Sequence, residues 1–281
     1  MPGPTRDRYS IGSDRERAMS EHIDNLNAAW ADYCDSLRAV GESVLASPHA
    51  HDDVSRAEGL RHLARMVALS LTQQIDFSDR EDPRLFRSND DVWQWGGPNV
   101  DNVYLGCSVD PRGTYRLRGD ISGQVGSILQ ILGTPSPQDP VAVRVDVNLR
   151  EVMNDSGLVD VTLSGDASIE PDVELPADGS RLVIREYIID ASARRAGFVI
   201  ERLDGEPKAE SMLGVSLAGH LESSRRWIQH NMQFWQDYTA GRRDEIGVNR
   251  VGPMVRGPGM GSESIVYGTG FFDLDEDQCF V

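Results

Sequence analysis

Apolar positions near the start of the chain recur at alternating steps of three and four: Ile23, Leu26, Trp30, Tyr33, Leu37, Val40 and Val44. That spacing lays one apolar stripe along a helix, leaves Asp24, Asp32, Asp35 and Arg38 to water, and predicts a helix from about Ser20. Residues 1–13 read as a loose tail before it. Ser47-Pro48-His49 ends this helix, because Pro48 disfavours helical geometry in the residue preceding it. A second helix is predicted from about Asp53 to Ile75, with Leu60, Ala64, Val67 and Leu71 as its apolar face. Two amphipathic helices with a short joint make a helical hairpin, which assigns residues 1–84 to an N-terminal helical region.

From Asp90 the apolar period shortens to two. Strands are predicted at Val103–Val109, Thr114–Ile121, Ser127–Ile131, Val141–Val147, Val159–Ser164, Arg181–Ile189 and Phe198–Arg202. Turn chemistry separates several of them, as at Asp110-Pro111-Arg112-Gly113 and Ala177-Asp178-Gly179. Pro207 opens a long helix to about Arg243, with Leu213, Leu217, Leu221, Ser224, Ile228, Trp235 and Tyr238 broadly on one side. A loop from Val248 to Ser264 and a final strand, Ser264 to Leu274, follow. Regular strands with polar turns and no intervening helices predict an antiparallel β-sandwich over residues 85–281. The expected fold class is α+β: helical hairpin, jelly-roll-like sandwich, and a long helix packed on it. Cys279-Phe280-Val281 closes the chain without a polar tail, so further strands are expected beyond it.

Composition narrows the function classes without choosing one. The 281 residues carry 28 Lys and Arg against 45 Asp and Glu, a formal charge of −17. Such a surface argues against generic binding to nucleic acid or to anionic membranes. No apolar run approaches the roughly 20 residues of a membrane-crossing helix, and Met1 to Tyr9 lacks the apolar core of a secretory signal. Cys34, Cys107 and Cys279 lie far apart, which excludes a disulfide framework and a zinc ribbon. A soluble cytoplasmic protein is the expectation.

The familiar catalytic signatures are absent: no GxSxG elbow, no GxxxxGK[ST] phosphate loop, no HExxH helix. Gly257-Pro258-Gly259-Met260-Gly261 does not sit between a strand and a helix, and reads as a flexible loop or lid. His49, His51, Asp52 and Asp53 offer metal donors at close spacing, yet His and Asp also serve as turn and capping groups there. His220 and His230 share a helix but stand about 80° apart on it. Asp273, Asp275 and Asp277 imitate the start of a calcium loop but lack its sixth-position glycine and closing glutamate. No metal and no cofactor is expected.

The cluster from Trp93 to Tyr104 is more informative. Two indoles, amides and a carboxylate precede the first predicted strand, which suits a pocket wall or a plug at the end of the sandwich. In Arg181–Asp190, alternation puts Arg185 and Tyr187 on one face and Glu186 on the other. Arg185 and Tyr187 are suited to orient an anionic or carbonyl group; cross-strand ion pairs would explain the same residues. Asp101 is a candidate base.

Pro98-Asn99-Val100-Asp101-Asn102-Val103-Tyr104, followed by Asp110-Pro111-Arg112-Gly113-Thr114-Tyr115-Arg116, resembles the bacterial domain-of-unknown-function family 1214, a relative of family 1254. Leu175-Pro176 through Arg185-Glu186-Tyr187, Ile200-Glu201-Arg202-Leu203 and Tyr267 through Asp277 are similar to further segments of that family. The similarity covers roughly residues 85–281. The family usually places a Trp just before its LP pair, where this chain has Asp172-Val173-Glu174. The resemblance implies a β-sandwich with helical additions and carries no established catalytic residues.

Three functions follow as expectations. The first is a hydrolase or lyase acting on a small organic molecule near the Trp93–Tyr104 loop. There Trp93 and Trp95 stack, Asn102, Arg185 and Tyr187 orient, and Asp101 or Tyr104 does acid–base work. The second is a non-catalytic ligand- or carbohydrate-binding module using the same aromatics. The third is an interaction protein built on the helical hairpin. A small-molecule ligand is the expected partner, and homo-oligomer formation is left open.

Overall fold

The computed structural model describes residues 10–50, 52–134, 141–188, 190, 192, 194–205, 215–256 and 265–279. Among the described residues three α-helices, α1 (Ser10–Leu45), α2 (Asp53–Leu71) and α3 (Val215–Ile246), accompany several β-sheets in an α+β fold. The chain divides into two compact units. One comprises Met1–Ile75 and Ala209–Met232, the other Asp76–Lys208 and Gln233–Val281. The first boundary therefore falls near residue 75 rather than 84, and α3 is shared between the units instead of belonging to the sheet domain alone.

In the helical unit, α1 starts ten residues before the predicted Ser20. Its stripe is buried only toward the C-terminal end: Tyr33 and Val44 are inside, while Ile23 and Trp30 are exposed. The Asp52 carboxylate caps α2 by accepting the Ser55 N–H at 2.7 Å. The helix then loosens into a π-helical turn, Thr72–Asp76. The buried face of α2 is rotated from the expected one. Leu63, Met66, Leu69 and Ser70 are inside; Leu60 and Ala64 are exposed. The reason is polar: Ser70 Oγ pairs with Ser224 Oγ at 2.8 Å and donates to the Ser224 carbonyl at 3.2 Å, both serines being fully buried. An apolar-only reading of the helix cannot detect a face that includes a matched pair of hydroxyls.

In the sheet unit, one five-stranded sheet has the order β1 (Phe86–Asn89), β2 (Asn102–Ser108), β8 (Gly179–Tyr187), β4 (Gly126–Gly133), β5 (Ala142–Asn148). A four-stranded sheet has the order β7 (Val173–Glu174), β6 (Leu158–Ser164), β3 (Thr114–Asp120), β9 (Val199–Arg202). All pairs are antiparallel except β6 with β7. Alternation sends Cys107, Leu129, Ile131, Leu182 and Ile184 from the first sheet, and Tyr115, Leu117, Val161, Leu163 and Ile200 from the second, into one shared core. All seven strands predicted before α3 are present, with ends shifted by one or two residues.

Two strands of the two large sheets were not predicted. Phe86-Arg87-Ser88-Asn89 is too polar to read as a strand, and β7 is too short to show a period. The expected single closing strand is instead β12 (Val266–Tyr267) and β13 (Gly270–Phe271), broken at Gly268-Thr269. They pair with β11 (Val255–Arg256) and β10 (Arg250–Val251), which lie in the stretch expected to be loop. The glycine-rich segment 257–261, His51, Leu213, Pro207 and the terminal Phe280-Val281 lie outside the described residues.

The Asp110–Gly113 turn is closed from within. Arg112 donates from Nε and Nη2 to the Asp110 carboxylate at 3.1 and 2.9 Å, and its backbone N–H adds a bond at 3.0 Å. These hydrogen bonds hold the Asp110 carboxyl at about 2, below its ordinary 3.8. A carboxyl depressed by folding stabilises the fold above its unfolded pKa and loses that contribution as pH falls through the folded value. Urea midpoints measured from pH 5 to pH 2 are therefore expected to fall less steeply for Asp110→Asn than for the parent chain. Separately, Ser70→Ala should cost about 1–2 kcal/mol by leaving the buried Ser224 hydroxyl without its partner. The Ser70→Ala/Ser224→Ala double variant should lose less than the sum of the single changes, measured by the same unfolding.

Candidate functional site

The site grows from the strand β8, whose neighbours are β2 and β4. Asn102 stands opposite Tyr187 and Tyr104 opposite Arg185 across β2, while Ile128 stands opposite Arg185 across β4. With a side-chain period of two, Arg181, Val183, Arg185 and Tyr187 leave β8 on the side away from Leu182 and Ile184. Asn102, Tyr104 and Gln130 share that outer face. The structure thus brings together four of the predicted residues: Asn102, Tyr104, Arg185 and Tyr187.

Asn102, Tyr104, Gln130 and Arg185 are each at least nine-tenths buried. The Arg185 guanidinium lies 5.4 Å from the Tyr104 ring centroid, within cation–π range. Its Nε donates to Gln130 Oε1 at 3.0 Å, and Gln130 Nε2 donates onward to Asp146 Oδ2 at 3.3 Å. Burial pushes the Tyr187 phenol above its ordinary value, against the opposing pull of Arg185 and the nearby Asn102 amide. Asn102 and Tyr187 nonetheless fall short of hydrogen-bond geometry, and both amide atoms of Asn102 are buried with no partner among the described residues.

Arg181, four residues earlier on the same face, is missing from the sequence-based site. Its guanidinium sits 5.4 Å from the Phe86 ring centroid. Gly106 makes room for it, since a Cβ there would come within 3.0 Å of Arg181 Nη2. The side chain is half-buried, and its guanidinium is desolvated strongly enough to push the pKa down to about 10. Arg202 in the same unit shows the usual solution for an enclosed arginine: Glu81 and Asp204 both hold it at 2.8 Å. Arg181 has no carboxylate, and no hydrogen-bond partner, among the described residues.

Segment 90–101 is built as a tight loop. Asp90 Oδ1 accepts the N–H groups of Val92 and Trp93, and the Asn89 amide clamps Trp95 through both its N–H and its carbonyl. The Trp95 ring meets Trp235 edge-on at 6.4 Å, and Trp235 meets Tyr238 at 5.6 Å. Trp95 is half-buried against Trp235, and Trp93 is half-buried beside it. Asn99 organises the next turn: its carbonyl accepts from Asn102 N at 3.0 Å, and its side chain from Asp101 N at 2.9 Å. Its own N–H donates to the Tyr104 hydroxyl at 3.0 Å. Asp101, one residue before β2, is exposed and is not gathered with the buried group. Sequence alternation could have found Arg181; Gly106, Gln130 and Trp235 had no signal of their own.

The other candidates resolve plainly. His49 is exposed, as are Asp273, Asp275 and Asp277, which lie in or beside a turn closed by the Gln278 N–H donating to the Asp275 carbonyl. Among the described residues no three His, Cys, Asp or Glu side chains are gathered to hold a metal ion, and no helix is long and apolar enough to cross a membrane.

No protein-family model and no curated protein matches the sequence. Among solved structures, that of an uncharacterised protein from Burkholderia cenocepacia matches with a TM-score of 0.73 and 24% identity. The match covers 83% of this chain and 65% of that one, so the chain spans less than two thirds of its neighbour's length. At this identity the likeness shows the shared α+β fold.

The loop's seat on α3 is directly testable. Gly96 has φ +71, and a Cβ there would meet the Trp235 ring at 2.4 Å. Gly96→Ala is expected to destabilise the sheet unit by roughly 1–3 kcal/mol and to change the tryptophan emission spectrum.

Proposed function

We propose that the chain binds a small anionic organic ligand, bearing a carboxylate or phosphate, on the outer face of β8. The observation that carries this reading is Arg181: a desolvated cation with no carboxylate among the described residues, in a chain of net charge −17. A half-buried, desolvated charge without a partner among the described residues is costly, and a bound anion would reduce that cost. Arg185 adds a second cation on the same face, and the unpaired Asn102 amide supplies one donor and one acceptor for orientation.

Binding is favoured over transformation because an acid–base pair is missing from the buried group. Asp101 is exposed, and the Tyr104 hydroxyl is engaged by the Asn99 N–H. The segments that carry the resemblance to family 1214, 98–104 and 175–187, contribute β2 and β8, the two strands that frame this face. The aromatic loop belongs to this reading as a cover held by Asn89 and Asn99 rather than as a stacking shelf.

Arg181→Met tests the reading in two ways. In the ligand-free chain it should leave stability unchanged or raise it by roughly 1–2 kcal/mol, because a partnerless enclosed charge is removed. In thermal-shift screens with inorganic phosphate and small mono- and dicarboxylates, the parent chain should gain stability and the variant should not. A variant that is clearly destabilised, yet still responds to the anions, would make Arg181 a structural residue and sink the proposal.

A further inference from the structure

We propose a second binding site on the opposite side of the same strands: a cleft of about 360 Å3 that takes a small amphipathic carboxylate, its apolar body inward and its head group at Arg87 and Arg195. The cleft is lined by Leu85 and Arg87 at β1, Val103 and Leu105 of β2, Glu186 of β8, and Arg195, Gly197 and Phe198 on the way into β9. Alternation makes this site independent of the first. Glu186 leaves β8 opposite to Arg185, and Val103 and Leu105 leave β2 opposite to Asn102 and Tyr104.

The walls define the ligand class. Leu85, Val103, Leu105 and Phe198 present hydrocarbon, suited to an alkyl or aryl body. Both arginines are exposed, and Arg87 is only loosely engaged by Asp90 at 3.8 Å. Arg87 can therefore turn toward an incoming carboxylate without leaving a buried partner bare, while the Arg195 charge is shared with the buried Glu186. Glu186 is the one acidic group among the described lining residues. It is buried, it accepts the Ala196 N–H at 3.2 Å, and its neighbours across the sheet are Val103 and Ser127. Burial pushes its carboxyl above the ordinary value, against the Ala196 hydrogen bond and the Arg195 charge. The balance of charge around the cleft thus favours an anion over an amine.

Isothermal titration of the full chain with octanoate, kept below its micellar concentration, provides the test, with acetate and octylamine as comparators. Octanoate should bind saturably, and acetate, which lacks the apolar body, at least tenfold more weakly. Arg87→Ala/Arg195→Ala should weaken octanoate at least tenfold, and circular dichroism should stay unchanged because both side chains are exposed. Glu186→Gln should tighten octanoate by removing the acidic group among the described lining residues. Failure of octanoate to bind would overturn the proposal, as would octylamine binding that Glu186→Gln abolishes. Octanoate binding that survives the double arginine change but disappears in Arg181→Met would assign the carboxylate to the other face and overturn it as well.

Discussion

Strand β8 is paired on both edges, by β2 and by β4, so its backbone is satisfied within the sheet and its side chains have two directions to take. Leu182 and Ile184 go to the core, each fully buried, while Arg181, Arg185 and Tyr187 go to the other face. A slip of one residue in either pairing would drive two guanidinium groups into a hydrocarbon core and turn two core side chains out. The register is therefore strongly specified, and both candidate sites inherit their positions from it.

The same unit contains two ways of treating an enclosed arginine. Arg202 is neutralised by Glu81 and Asp204 and backed by the Tyr115 ring 5.7 Å away, a closed arrangement with no capacity left for a ligand. Arg181 keeps the aromatic backing, from Phe86, and has no carboxylate beside it among the described residues. In a chain with 45 acidic residues, that omission is a matter of placement rather than of supply. Gly106 adds to the contrast, since it leaves space for the guanidinium where any other residue would press on it.

Most of the sheet unit was legible in the sequence because strands such as β5 and β6 alternate apolar and polar positions, and turn residues such as Asp110 to Gly113 separate several strands. What escaped were elements whose order comes from neighbours: the polar β1, which is a strand because β2 lies beside it, and β7, which has two residues and no period. The helical unit misled in a specific way. Ser70 counts as polar in any amphipathic reading, yet it is fully buried because Ser224 meets it. In the site, alternation correctly grouped Arg185 with Tyr187 and opposed Glu186, but proximity in sequence wrongly grouped Asp101 with Asn102. Adjacent residues at the start of a strand project to different places.

Which residues share a strand face, where turns fall and the formal charge of −17 could be read along the chain, because these depend on local geometry and on summed charge. Which charges are enclosed, and which of those have partners, depends on segments that the fold brings together. Burial and pairing are properties of several segments at once: Arg181 becomes a candidate because Phe86 backs it and Gly106 leaves it room, and Trp95 packs where Trp235, 140 residues later, meets it. No pattern within one segment carries that information, since desolvation and partnership are set by what the rest of the chain brings alongside.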